Sequence, residues 1–147
     1  EEGNKVVDLN SAYRHKVDAK GRMSLPASFR KVLSTDLVVT RNPKDECLYV
    51  FEPDAFNAWV AGVFEDKFEK FDRTNDLHVR LRRKLKSRAA DVSIDAAGRI
   101  MISAEQREAV GIDKEVVVVG NTGYFEIWDA KRYDAVDDET DLGLLFD

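Results

Sequence analysis

The chain has 147 residues, 44% of them hydrophobic, and a formal net charge of −5. That length buries one sizeable core; no run of about 18 apolar residues is present to span a membrane as a helix, and the single cysteine, Cys47, excludes an internal disulfide and a cysteine-based metal cluster. No charged-then-apolar signal segment opens the sequence, so a soluble, cytoplasmic protein without a membrane partner is expected.

In chain order, residues 1–11 are mostly polar and read as a loose arm. A strand over 13–17 then leads into Asp18-Ala19-Lys20-Gly21. Asp-x-x-Gly suits a type I turn, with the carboxylate bonding turn N–H groups and Gly supplying positive φ. Alternating Met23 and Leu25 follow, so the segment reads as a β-hairpin. Pro26 fits the first turn of a short helix reaching about Leu33. Next come a β-branched run at 37–40, a turn at Asn42-Pro43-Lys44-Asp45 and a strand at 48–51. Residues 54–72 place Phe56, Trp59, Val60, Val63, Phe64, Phe68 and Phe71 at amphipathic-helix spacing, with Asp54 as the expected cap. A second helix begins near Thr74-Asn75 and carries Leu77, Leu81 and Leu85 on one narrow stripe among Arg80, Arg82, Arg83, Lys84, Lys86 and Arg88.

The chain then writes its opening again. Ile94-Asp95-Ala96-Ala97-Gly98-Arg99 repeats Val17-Asp18-Ala19-Lys20-Gly21-Arg22 at a constant offset of 77 residues. The second copy continues with Ser103-Ala104-Glu105-Gln106, a capping-box pattern, then Gly111 as a helix stop and strands at 116–119 and 125–128. The apolar runs of both copies lack clean alternation, as in strands buried on both faces of a small closed barrel that two interleaved copies would complete. One more short helix is expected over 129–136. An acidic tail follows, with Leu142, Leu144, Leu145 and Phe146 as docking points for a partner.

These residues also carry a resemblance. Asp18-Ala19-Lys20-Gly21-Arg22 with Pro26 and Arg30, followed by Asp95-Ala96-Ala97-Gly98-Arg99 with Arg107, resembles the MraZ family across nearly the whole chain, including Phe125-Glu126-Ile127-Trp128-Asp129. The resemblance implies an α+β fold of two tandem AbrB-like swapped-hairpin β-barrel repeats forming one pseudo-twofold unit. Repeat 1 would span 12–55, a helical connector 56–88, repeat 2 89–132 and the tail 133–147. It also implies a nucleoid-associated transcriptional regulator that forms a ring-shaped homo-oligomer. Such a regulator binds short G-rich direct repeats in the promoter of a division and cell-wall gene cluster. The sequence departs from the family at Lys84, Lys86 and Arg88, where apolar or small residues are more usual.

The charge distribution accommodates double-stranded DNA despite the acidic total. Asp134, Asp137, Asp138, Glu139, Asp141 and Asp147 lie in the last 14 residues with no base among them, and taking those six charges from −5 leaves +1 on residues 1–133. Residues 13–31 alone carry Arg14, Lys16, Lys20, Arg22, Arg30 and Lys31 against Asp18, or +5. Phosphate attraction is decided by charge within a Debye length of about 8–10 Å. The candidate nucleic-acid contacts are Arg22, Arg99, Lys20, Lys16 and Arg14, with Asp18, Gly21, Asp95 and Gly98 structuring the turns. A two-stranded ribbon fits the major groove, where Arg bonds guanine O6 and N7. The competing reading of Arg22 and Arg99 is an intramolecular ion pair to Asp18 and Asp95. For the basic stretch 80–88, a solvated helix face and a second phosphate-contacting surface both stand.

No catalytic constellation accompanies the repeat. Asp18 and Asp95 sit in tight turns without a His, Ser or metal cluster nearby in sequence, His15 and His78 lack ligand spacing and suit surface or hydrogen-bonded roles, and Gly120-x-x-Gly123 is a turn. Neither a cofactor, a metal nor a small-molecule substrate is expected. The alternative to a DNA-binding regulator is an antitoxin-type interaction protein using its acidic tail, against which the two copies in one chain argue.

Overall fold

The computed structural model describes residues 6–146 and has a mixed α+β architecture. Its strands are β1 (Ala12–Lys16), β2 (Arg22–Ser24), β3 (Asp36–Arg41), β4 (Leu48–Phe51), β5 (Ala90–Ser93), β6 (Arg99–Met101), β7 (Glu115–Gly120) and β8 (Phe125–Asp129). Its helices are α1 (Ala27–Arg30), α2 (Pro53–Phe68), α3 (Asp76–Ser87), α4 (Ala104–Ala109) and α5 (Ala130–Glu139), followed by a 3₁₀ turn over Leu142–Leu145. Six strands form one antiparallel sheet in the order β1-β7-β8-β4-β3-β5, and β2 and β6 form a separate two-stranded ribbon.

The expected hairpins at the two repeated turns do not form. β1 leads into the first turn but pairs with β7 of the second copy, while β5 leads into the second turn but pairs with β3 of the first. The strands leaving the turns, β2 and β6, pair with each other. Each turn therefore joins the sheet to the ribbon. Burial drives this choice: Met23 and Ile100, opposite each other in the ribbon, enter the main core with Leu48, Val50, Val116, Val118, Phe125 and Ile127 from the sheet. Phe29 of α1 also enters it, edge-on to Tyr13 and tilted against Phe125.

The other face of the sheet is covered by helices. Val38 and Phe51 turn to this side and meet Phe56, Val60 and Phe64 of α2, so β3 and β4 are buried on both faces, as their apolar runs predict. Over β8, Trp128 packs on Tyr133 of α5. Glu52, with Pro53 at the first helical position, precedes α2 in place of the expected Asp54, and the helix ends at Phe68 because Glu69 turns to positive φ. Phe71 therefore lies beyond the helix, where it packs back on Phe64 and His78. Asn75 caps α3 by accepting from the N–H groups of Leu77 and His78. His78 is buried: its Nδ1 accepts from the Asp72 N–H at 3.0 Å and its ring stacks on Phe68.

Two further expectations need correction. The capping box of α4 is half made, since Ser103 Oγ accepts from the Gln106 N–H but the Gln106 side chain is buried and donates to Val39 O at 2.9 Å. Residues 6–11 are not a loose arm. The Leu9 N–H donates to Asn121 O, Gly123 N–H donates to Val7 O, and the buried Leu9 side chain joins the main core; residues 1–5 lie outside the described part. Leu9→Ala is expected to cost about 2–5 kcal/mol, the usual range for truncating a buried leucine. A urea melt would read this as a lower midpoint, whereas an unattached arm would give no change.

Candidate nucleic-acid interface

Both repeated turns have the same hydrogen-bonding pattern, set by the carboxylate. Asp18 O accepts from Gly21 N–H at 2.9 Å, and Asp18 Oδ1 accepts from the N–H groups of Lys20 and Arg22, each at 2.9 Å. In the second copy Asp95 O accepts from Gly98 N–H, and Asp95 Oδ1 accepts from Ala97 and Arg99 N–H at the same 2.9 Å. Gly21 and Gly98 have φ of +90° and +79°, a conformation that other residues rarely adopt. The N–H donated by Arg22 is the main cause holding the Asp18 carboxyl below its ordinary range, and Arg99 N–H does the same for Asp95.

The intramolecular ion pairs exist, and they leave the arginines usable. Asp18 Oδ2 accepts from Arg22 Nε at 2.8 Å and Asp95 Oδ2 from Arg99 Nε at 3.1 Å. Among the described residues, neither Arg22 nor Arg99 engages its terminal nitrogens in a hydrogen bond. The side chains retain 35% and 37% of their exposure. Each carboxylate thus fixes the orientation of a guanidinium whose outer edge still has donors to offer.

The ribbon sets the spacing between them. Arg22 stands opposite Met101 and Arg99 opposite Ser24, so the two arginines are diagonal neighbours on one face, with backbones about 7–8 Å apart. Met23 and Ile100 fill the opposite face. Two crossed hydrogen bonds tie each strand to the other copy's turn, from Leu25 N–H to Gly98 O at 3.0 Å and from Ile102 N–H to Gly21 O at 2.8 Å.

Sequence reading left two further cations without a role. Arg30 Nε donates to Leu25 O and Arg107 Nε to Ile102 O, matching interactions in the two copies, and each side chain lies against the glycine of the opposite turn. The only sequence signal was their common place in the repeat. Lys16 and Lys20 are exposed. Arg14 is not brought to the ribbon; it projects from β1 to the face covered by α5, where its Nη2 lies 2.6 Å from Asp134 Oδ1.

The lysines and arginines of α3, with Arg88 just after it, divide into two groups. Arg82 stacks over Phe71 at 3.6 Å, Lys86 lies 5.5 Å from the Phe56 ring centroid, and Arg88 pairs with Asp45 at 2.5 Å. Cationic side chains with apolar stems therefore perform packing that hydrophobic residues could supply. Arg80, Arg83 and Lys84 remain on the exposed side. Among the described residues no group of three or more His, Cys, Asp and Glu side chains is placed to hold a metal ion, and burial pushes the lone Cys47 thiol well above its ordinary range. No helix in this part is long and apolar enough to cross a membrane.

Fold and site together define a duplicated protein whose two copies exchange their post-turn strands and present paired arginines on one ribbon. The family described as "MraZ protein, putative antitoxin-like" matches residues 9–78 and 85–144. The chain is 39% identical over 126 residues to the transcriptional regulator MraZ of Burkholderia cenocepacia, covering 81% of this chain and 80% of that protein. It is 40% identical over 124 residues to the protein of that name from Saccharopolyspora erythraea (84% and 82% covered), and 37% identical over 129 residues to that from Ligilactobacillus salivarius (88% and 86%). The chain belongs to the MraZ family.

The turns make unequal demands on their glycines. A Cβ on Gly21 would lie 2.2 Å from the backbone oxygen of Ile102, whereas one on Gly98 would first meet Arg30 Nη1 at 2.7 Å. Gly21→Ala is therefore expected to destabilise more than Gly98→Ala, and Arg30→Ala to relieve part of the Gly98→Ala cost; thermal melts of the four variants check both. Acid titration tests the carboxylates. Their folded pKa values are depressed, so their stabilisation is present above the unfolded Asp value of about 3.9 and lost as pH falls through the folded values. The stability gap between the parent and Asp18→Asn should be constant near neutrality and shrink below about pH 4.

Proposed function

We propose that this chain is a sequence-specific DNA-binding transcriptional regulator that reads guanines with the β2–β6 ribbon. The observation that carries the reading is the pair of arginines on one exposed ribbon face, each held by an aspartate through Nε while its terminal nitrogens stay available. A major groove about 12 Å wide admits such a ribbon, and Arg bonds guanine O6 and N7 bidentately. Lys20 and Lys16 supply phosphate contacts, with Arg107 and Arg30 beside the turns. Arg14 contributes least because Asp134 already binds it. The exchange of β2 and β6 between copies supports the swapped-hairpin barrel reading, with repeats over 12–55 and 89–132, a connector over 56–88 and a tail over 133–147.

One ribbon covers few base pairs, so the target is a set of short G-rich direct repeats engaged by several ribbons of a ring-shaped homo-oligomer. The assigned setting is the promoter of a bacterial division and cell-wall gene cluster, within the nucleoid; the names of the relatives support regulation of transcription. The antitoxin-like description of the family favours a second reading, in which the exposed apolar tail engages another protein.

Arg22→Ala and Arg99→Ala are each expected to weaken operator binding by about 1–3 kcal/mol without altering the circular dichroism spectrum. Arg22 should matter more, because Lys20 is replaced by Ala97 in the second copy. Unchanged affinity in the double variant would refute ribbon readout. Inserting about 5 bp between repeats should harm binding more than inserting about 10 bp, since ribbons on one side of an assembly meet the same DNA face once per helical turn. Equal effects of the two insertions would remove the multivalent reading.

A further inference from the structure

Two surfaces of this molecule are apolar, uncovered and of opposite charge. One is the C-terminal 3₁₀ turn, where Leu142, Leu144, Leu145 and Phe146 retain between 68% and 82% of their exposure. It is a formed element: Asp141 Oδ1 accepts from Gly143 N–H at 2.8 Å, and backbone N–H groups of Leu144 and Phe146 donate to Asp141 O and Gly143 O. Leu142, Leu145 and Phe146 have the i, i+3, i+4 spacing of a docking helix. Asp137, Asp138, Glu139 and Asp141 precede them without an intervening base.

The second surface lies between α2 and α3. Val63, Lys67, Phe68, Leu81, Lys84 and Leu85 line a groove of about 400 Å³, which Leu77 extends along α3. Leu77 and Leu81 are 56% and 42% exposed although they fall on the stripe that the sequence pattern marks as apolar. The helix packs on its neighbours instead through His78, Arg82, Leu85 and Lys86. Lys67 and Lys84 make no ion pair among the described residues and flank the groove, with Arg80 one helical turn before Lys84.

We propose that the tail of one copy, residues 137–146, docks in the α2–α3 groove of a second copy. Apolar side chains would enter between Phe68 and Leu81 while the acids meet Lys67 and Lys84. This rests on the homo-oligomer reading above and gives it an interface. Tail and groove are different surfaces of the same chain, so the contact is heterologous when each copy gives its tail to one neighbour and accepts a tail from another, the arrangement a ring requires. Such a contact closes into a ring when the rotation per copy permits, and extends as a filament otherwise. A reciprocal exchange about a twofold axis would use the same tail and groove but stop at two copies, so the size of the parent oligomer separates the two arrangements.

A complementation experiment with the whole 147-residue chain tests this. Leu81→Asp disables the groove and keeps the tail; Leu145→Asp combined with Phe146→Asp disables the tail and keeps the groove. Each variant alone should sediment as a monomer where the parent forms its oligomer, with the association constant down about tenfold or more. Mixed in equal amounts, the two should form a dimer that grows no further, because one intact tail meets one intact groove. Lys84→Glu, a surface change that spares the groove's apolar residues, should weaken assembly in the same direction and serves if Leu81→Asp unfolds. Oligomers unchanged in all variants, failure of the two monomers to pair, or a parent that is monomeric at every concentration would each overturn the proposal. Binding of a single operator repeat by the variants, measured in parallel, reads the ribbon separately: its retention with unchanged assembly removes the tail contact alone, and its loss in Arg22→Ala leaves the tail contact standing.

Discussion

The ribbon that carries the paired arginines depends on the crossed hydrogen bonds at the two turns. Leu25 N–H reaches Gly98 O and Ile102 N–H reaches Gly21 O, so each post-turn strand is tied to the other copy's turn. The glycines permit that closeness, since a Cβ at Gly21 would overlap the very carbonyl region where the strands cross. Once crossed, Met23 and Ile100 seal the inner face of the ribbon, and Arg22 and Arg99 must appear together on the outer one. The spacing of the paired arginines thus follows from the core.

Electrostatics complete the geometry. Each aspartate spends one oxygen on two backbone N–H groups and the other on Nε of the arginine four residues on, so one carboxylate shapes the turn and aims the cation. A partly exposed pair of this kind contributes little to stability. Its value here is orientation. The acids of α5 are placed away from the ribbon, since this helix covers the opposite face of the sheet, where Asp134 engages Arg14. A local cationic surface on a globally acidic protein is compatible with phosphate attraction because screening limits the reach of the distant acids.

Much of this was legible in the chain because the information is local. The Asp-x-x-Gly turns, the Ser103 cap, the amphipathic pattern of α2 and the burial of β3 and β4 on both faces depend on residues within a few positions of one another. Strand partnership does not. Nothing around Arg22 distinguishes a hairpin with β1 from a ribbon with β6, and the choice is made by the joint burial of Met23 and Ile100, 77 positions apart. His78 shows the same limit, being buried by Phe64, Phe68 and Phe71 from another segment. Arg82, Lys86 and Arg88 read as a charged face, and their use in packing appears only with Phe71, Phe56 and Asp45 opposite them. The segment before β1 looked free because its buried side chain, Leu9, lies between the polar Asp8 and Asn10 in sequence, and the packing of Leu9 and Val7 on the core involves residues more than a hundred positions away.

The central claim is that paired arginines on an exchanged ribbon read guanine edges, and methylation interference on an operator fragment addresses it most directly. Methylating guanine N7 blocks the atom that Arg must reach, while alkylating a phosphate blocks only backbone contact. The account predicts that N7 methylation at clusters of guanines about one helical turn apart abolishes binding by the parent, and that the double variant Arg22→Ala, Arg99→Ala loses this pattern while keeping weak binding sensitive to phosphate alkylation. A parent protein indifferent to N7 methylation and sensitive only to phosphate alkylation would contradict it.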